Sequence, residues 1–115
     1  MRTFLIFDNI APADTTVEIP LNNPNENNPQ DLRFLIQASK TGVTGNPRII
    51  IEESLDKSVW TALENTKTWD KYTDLIDILG IKDNYFMGKF MRVRMETNGA
   101  TGGTVWAKIG YKTKP

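Results

Sequence analysis

The amino-acid sequence predicts an all-β fold, an antiparallel β-sandwich of jelly-roll type with roughly seven or eight short strands. Two observations support this prediction. Apolar and polar residues alternate in several short stretches, which is the period of a strand with one buried face. Turn residues such as Gly, Asn, Asp and Pro separate these stretches at regular intervals. The chain has 115 residues, enough for one core, so residues 1–115 form a single predicted domain.

The first half of the chain contains four predicted strands. Thr3–Phe7 is a short apolar run, and Thr15–Leu21 alternates up to Pro20, which marks a strand end or a sheet edge. Leu32–Ala38 alternates in the same way. Arg48–Glu53 contains three consecutive isoleucines, which are typical of a central strand buried on both faces.

The middle of the chain combines polar connections with one ambiguous segment. Residues 21–30 contain five asparagines and two prolines, which predicts a surface loop. Residues 54–58 form a predicted turn that leads into a short strand at 59–63. The apolar spacing at 69–79 suits either a short helix that ends at Gly80 or a strand, and the sequence leaves both open.

The C-terminal stretch 90–112 predicts a β-hairpin around a glycine-rich loop. In both strands, inward residues alternate with outward ones. The predicted inward residues are Met91, Val93, Met95, Val105, Ala107, Ile109 and Tyr111. The predicted outward residues are Arg92, Arg94, Glu96, Trp106, Lys108 and Lys112.

The register of this hairpin conflicts with its strongest turn signal. Asn98-Gly99 favours a tight two-residue turn that would pair Thr97 with Ala100. That register would place inward residues of one strand opposite outward residues of the other, although paired residues point to the same side. We therefore predict a longer loop over residues 97–103, or a bulge at one of its last two glycines, so that the two inward sets pair.

Composition argues against an enzyme and against a cofactor. The chain contains no cysteine and no histidine, so thiolate nucleophiles, the commonest general base and the commonest transition-metal ligands are all missing. The formal net charge is zero and the pI is about 6.2, which does not favour nucleic acid or an anionic membrane as partner. The apolar run near the N-terminus is too short for a membrane span or a signal-peptide core.

The outward face of the predicted hairpin is the candidate protein-interaction surface. Arg92, Arg94, Trp106, Lys108 and Lys112 combine cations with an aromatic ring, and Arg and Trp are enriched at interface hot spots. An ordinary solvated face with an arginine stacked on the tryptophan explains the pattern equally well. Contact with a nucleic-acid backbone is the less favoured third interpretation.

The aromatic residues at the centre of the chain allow a second function. Trp60, Trp69 and Tyr72 would form a sugar-binding platform if their rings were exposed, although aromatic residues of this kind more often pack in a core. The alternative to a protein-binding role is therefore a small carbohydrate-binding module.

Two segments resemble known families. Residues 53–63, ESLDKSVWTAL, resemble the S-x-D-x-x-x-W strand–turn–strand of discoidin-like sandwiches. Residues 88–94, GKFMRVR, and 98–109, NGATGGTVWAKI, resemble the closing strands of small β-sandwich virion proteins of tailed bacteriophages. The resemblance covers residues 53–112, about half of the chain.

This resemblance implies a non-enzymatic structural component of a bacteriophage particle, an auxiliary or decorating capsid protein. Its expected partners are capsid subunits or other virion proteins, together with further copies of itself in a homo-oligomer. Its expected location is the virion, after synthesis in the cytoplasm of the host bacterium. No nucleic acid, membrane, metal or other cofactor is expected.

Overall fold

The computed structural model describes residues 2–21, 32–63, 67–68, 78–83 and 88–113, with the backbone alone at 32–33, 67–68, 78–83 and 112–113. Nine strands occupy these ranges, and all their pairings are antiparallel. They are β1 (Arg2–Ile10), β2 (Thr15–Glu18), β3 (Leu32–Thr41), β4 (Arg48–Ser54), β5 (Thr61–Ala62), β6 (Lys67–Thr68), β7 (Ile78–Asp83), β8 (Phe90–Glu96) and β9 (Thr104–Thr113).

The strands form two sheets that pack as a sandwich. The four-stranded sheet has the order β1-β9-β3-β7. The five-stranded sheet has the order β2-β8-β4-β5, and β6 also pairs with β4. The chain passes from one sheet to the other after β1, β2, β3, β6, β7 and β8, which is the strand arrangement of a jelly roll. The predicted all-β antiparallel sandwich is therefore confirmed.

The core lies between the inner faces of the two sheets. Every residue that the C-terminal alternation placed inward is buried, because one face of each strand meets the opposite sheet. The three isoleucines of β4 are 0%, 4% and 0% exposed, which confirms a central strand buried on both faces. The other buried apolar side chains include Ile6, Phe7, Ile19, Phe34, Ile36, Ala38 and Leu63.

Several predicted elements keep their place but change their length. The strand predicted at 59–63 contracts to Thr61–Ala62, and β2 ends at Glu18, just before Pro20 and at the edge of its sheet. Of the ambiguous segment 69–79, the last two residues begin β7, and 69–77 lie outside the described residues. Most of the predicted loop at 21–30 also lies outside them.

The predicted pairing of the last two strands is wrong. β8 pairs with β2 and β4, whereas β9 pairs with β1 and β3 in the other sheet. The loop between them spans 97–103, as predicted, but it carries the chain across the sandwich. Within it Asn98 and Gly99 have φ values of 48° and 80°, and the Ala100 N–H donates to the Thr97 carbonyl at 2.8 Å. The tight Asn-Gly turn therefore forms without closing a hairpin.

This crossing loop packs against the loop between β3 and β4. Thr44 and Thr101 exchange two backbone hydrogen bonds, each 2.8 Å long. Lys40 is only 3% exposed, and its ammonium donates to the Gly45 carbonyl at 3.1 Å. The Thr44–Thr101 pair joins the two loops at one end of the sandwich, where the chain changes sheets, and Lys40 braces the loop between β3 and β4.

Candidate interaction surfaces

The five residues predicted to share one interaction surface lie on opposite sides of the sandwich. Arg92 and Arg94 belong to β8, on the outer face of the five-stranded sheet. Trp106 and Lys108 belong to β9, on the outer face of the four-stranded sheet. Lys112 is also in β9, where the structure describes only its backbone. The prediction of a single surface is therefore wrong. Its residues belong to two surfaces, because β8 and β9 lie in different sheets.

The outer face of the five-stranded sheet is organised around the carboxylate of Glu52. The β4–β8 register places Glu52 opposite Arg92. Its Oε1 accepts from Arg92 Nε at 2.7 Å and lies 3.4 Å from Arg94 Nε, while its side chain is only 9% exposed. A buried carboxylate is costly unless cations and hydrogen bonds compensate it, and two guanidinium groups do so here.

The remaining charges of this face are also paired within the chain. Arg94 Nη1 lies 2.5 Å from Glu96 Oε1, and Arg48 Nη1 lies 4.0 Å from Glu96 Oε2. The guanidinium of Arg92 stacks 4.2 Å from the centre of the Trp60 ring. The expected arginine–tryptophan stack thus occurs, with Trp60 in place of Trp106. A partner binding here would have to compete with these internal pairs.

The turn after β4 explains the S-x-D-x-x-x-W spacing. The Ser54 hydroxyl accepts from the backbone N–H groups of Asp56 and Lys57, at 3.2 and 2.9 Å. The Asp56 carboxylate accepts from the N–H groups of Ser58 and Val59, at 2.8 and 3.1 Å. The Trp60 indole N–H donates to the Lys57 carbonyl at 3.1 Å, which closes the turn. Each polar residue of the motif stabilises the backbone, which is a structural role.

These hydrogen bonds also hold the pKa of Asp56 below its ordinary value of 3.8. The largest cause is the N–H of Val59, followed by that of Ser58 and then by the Ser54 hydroxyl. Each of them donates to the carboxylate and so favours its charged form.

A cleft of about 340 Å³ lies between this turn and Gly88. Its lining includes Glu53, whose carboxylate accepts from the Gly88 N–H, and the exposed side chains of Leu55 and Val59. Within the described ranges, no group of three or more Asp, Glu, His or Cys residues is arranged to hold a metal ion. The cleft therefore offers shape and some apolar surface, but no reactive constellation.

The outer face of the four-stranded sheet differs, because apolar side chains are exposed on it. Leu5 in β1 is 42% exposed and Leu35 in β3 is 44% exposed. Between these strands runs β9, with Lys108 opposite Leu5 and Gly110 opposite Leu35. Trp106 is half-buried further along the same strand. These outward residues of β1, β3 and β9 form the four-stranded outer face.

Sequence reasoning missed both leucines of this face. Leu35 occupies an outward position of β3, between Arg33 and Gln37, so an apolar residue in an otherwise polar alternation was the available signal. Leu5 lies within an unbroken apolar run, and nothing local shows which of those residues faces outward. A bulge after Leu5 sets the orientation of these side chains, because it turns both Ile6 and Phe7 toward the core and leaves Leu5 facing outward.

Of the aromatic residues proposed to bind sugars, only Trp60 is described. Its ring is half-buried and held by the Lys57 carbonyl and the Arg92 guanidinium. Trp69 and Tyr72 lie outside the described residues.

No protein-family model, curated protein or solved structure matches the chain. Among the described residues, no helix has the length and hydrophobicity needed to cross a membrane.

Proposed function

We propose that this protein is a non-enzymatic structural component of a bacteriophage particle, an auxiliary or decorating protein that binds capsid subunits. The four-stranded outer face is its contact surface. The observation that carries the proposal is the exposure of Leu5 and Leu35, at 42% and 44%, on a regular sheet face. Exposed apolar side chains grouped on one face favour a protein contact over a purely solvated surface.

The contrast between the two outer faces supports this choice. On the five-stranded sheet, Arg92, Arg94 and Glu52 satisfy one another, so binding would first have to break intramolecular ion pairs. On the four-stranded sheet, a bound partner would cover the exposed parts of Leu5 and Leu35 without breaking any ion pair between described residues. Two of the five residues predicted for the interface, Trp106 and Lys108, lie on this face.

The fold is compatible with this role. Jelly-roll sandwiches occur in viral capsid proteins and in lectins, which is an analogy at the level of fold and leaves the function to the surface. A capsid lattice presents many identical sites, so a protein that binds it works through a repeated contact, alone or as a symmetric oligomer.

The test is co-sedimentation of the purified protein with particles that lack it. Leu5→Ser and Leu35→Ser should each weaken binding roughly tenfold, since burying a half-exposed leucine contributes about 1–2 kcal/mol. Leu55→Ser is the matched control, because Leu55 is 69% exposed but lies on the turn after β4.

Two results would count against the proposal. The first is that the wild-type protein fails to sediment with particles under any condition. The second is that Leu55→Ser weakens binding as much as Leu35→Ser, which would place the contact elsewhere. Reversing Arg92 and Arg94 should lower stability through the loss of the Glu52 pairs, and should leave binding by the remaining folded protein intact.

The alternative function, a small carbohydrate-binding module, depends on Trp60. The Lys57 carbonyl fixes the orientation of the indole, which is what a stacking platform requires, although Arg92 already covers one side of the ring. A glycan array distinguishes the two functions. Binding that Trp60→Ala abolishes would favour the carbohydrate module, and the absence of any signal would reject it.

A further inference from the structure

Lys108 lies at the centre of the four-stranded outer face. The register places it between Leu5 of β1 and Gln37 of β3, and its side chain is exposed. Among the described residues, no carboxylate forms an ion pair with it. An ammonium group beside two exposed leucines can still gain a charge partner from outside the chain.

In three of the four strands of this sheet, the outward positions carry charge of one sign. In β3, β7 and β9, the positions that alternate with the inward ones hold four charged residues, all of them basic. Besides Lys108 these are Arg33, Lys82 and Lys112. In the register Arg33 is paired with Lys112, and Lys82 is paired with Leu35. The fourth strand, β1, contributes one exposed carboxylate, that of Asp8, which follows Phe7, the residue paired with Ala107.

The outer positions of the five-stranded sheet carry charges of both signs in equal number. Its described outer positions hold three arginines and three glutamates. They are Arg48, Arg92, Arg94, Glu18, Glu52 and Glu96. The arginines pair with Glu52 and Glu96, and Glu18 pairs with Lys57 of the turn after β4. In a chain of zero net charge, the outer positions of the five-stranded sheet are thus balanced, whereas the outward positions of β3, β7 and β9 hold only basic residues.

We propose that the four-stranded outer face binds a protein surface with an apolar centre and an acidic surround. This inference rests on the proposed function and specifies the chemistry of the partner. The leucines supply the apolar contact, and Lys108 supplies an exposed ammonium group that selects and orients a carboxylate-bearing surface.

An acidic protein fits this face better than a nucleic acid does. The side chains of Leu5 and Leu35 have no counterpart in a phosphate backbone, whereas an interface between proteins has an apolar core and a polar rim. Trp106 is half-buried rather than presented for base stacking.

The experiment uses the full chain labelled with nitrogen-15 and three probes: a peptide of alternating glutamate and leucine, poly-glutamate, and a thymidine oligonucleotide. The alternating peptide should shift the backbone amides of β9 and β3 and bind most tightly. Lys108→Glu should weaken its binding by on the order of tenfold. Lys57→Glu is the matched control, because Lys57 is an exposed lysine on the turn beside the five-stranded sheet.

Salt gives a second measurement. Binding should weaken between about 0.1 M and 1 M NaCl, as the Debye length falls from about 10 Å to about 3 Å. The inference is overturned if the oligonucleotide binds as tightly as the peptide, if the shifts map to β4 and β8, or if Lys57→Glu weakens binding as much as Lys108→Glu.

The same variants separate this inference from the proposed function. If Lys108→Glu still sediments with particles as the wild type does, the acidic partner is refuted while the capsid contact stands. If the peptide binds through Lys108 but particles are not bound, the capsid role fails while the acid-binding surface stands.

Discussion

Replacing Gly103 with alanine should destabilise the fold more than the same change at either of two other glycines in its loop. Gly99, Gly102 and Gly103 have φ values of 80°, 72° and 63°, a region that L-residues rarely adopt. Forcing alanine into it costs about 1–2 kcal/mol at each position. The loss of backbone freedom in the unfolded chain is also common to the three, so it cancels in the comparison.

The space around each glycine separates them. A Cβ at Gly103 would lie 2.2 Å from the Thr41 carbonyl oxygen and 2.4 Å from the Gly42 carbonyl carbon, and both are backbone atoms. At Gly102 the nearest atom would be 3.6 Å away, and at Gly99 nothing lies within 4 Å. Only Gly103→Ala therefore forces the crossing loop away from the loop between β3 and β4.

That displacement breaks the bridge between Thr44 and Thr101. Its two hydrogen bonds contribute about 0.5–1.5 kcal/mol each. We therefore expect Gly103→Ala to be less stable than Gly102→Ala by about 1–3 kcal/mol. Urea unfolding of the three variants measures this difference, and hydrogen exchange should show faster exchange at the Thr44 and Thr101 amides in Gly103→Ala alone. Equal unfolding midpoints for Gly102→Ala and Gly103→Ala would refute the reasoning.

Three further predictions concern the core and the charged groups. Ile51→Ala should lower the free energy of unfolding by about 2–5 kcal/mol, because Ile51 is fully buried. Val59→Ala, at a side chain 70% exposed, should change it by less than about 0.5 kcal/mol. Urea unfolding measures both values, and similar losses would contradict the assigned core. Glu52→Ala should lower the free energy of unfolding by about 1–3 kcal/mol, a value reduced for the partial exposure of its arginine partners. Glu18→Ala removes a surface ion pair with Lys57 and should lower it by about 0–1 kcal/mol. The reverse order would show that the Glu52 pairs do not stabilise the sheet. The folded pKa of Asp56 lies below 3.8, so its stabilisation is fully present above that pH and is lost as pH falls through the folded value. The stability difference between wild type and Asp56→Asn should therefore shrink in acid, and a difference that grows would reject the turn geometry.

Local alternation predicted which residues face the core, because it depends only on the two-residue period of a strand. It placed Val93 and Ile109 inward correctly, and both are fully buried. It could not identify the neighbouring strands, since the same alternation results whichever strand lies alongside. The outer faces depend on strand neighbours, so the predicted interaction surface combined residues from two different sheets.

The conflict between the Asn-Gly turn and the strand alternation was nevertheless informative. A tight turn at Asn98-Gly99 was incompatible with pairing of the flanking strands, and in the structure the turn forms and the strands do not pair. In a jelly roll a tight turn can also begin a crossing between sheets, where no register rule links the strands it separates. A parity conflict across a strong turn signal therefore has two solutions, a longer hairpin loop or a change of sheet. Local sequence does not distinguish them.

The crossing of the last loop also produces the difference between the two outer faces. Had β8 and β9 been neighbours, Glu96 and the buried carboxylate of Glu52 would have shared a face with Lys108. Because the chain crosses, Glu52 and Glu96 remain with Arg92 and Arg94, and Lys108 lies beside leucines instead. The outward positions of β3, β7 and β9 in the other sheet hold basic residues and no acidic ones, although the chain as a whole is neutral. A charge-reversal series should consequently divide by sheet. Changes at Arg92 and Arg94 should act mainly on stability, and changes at Lys108 mainly on binding.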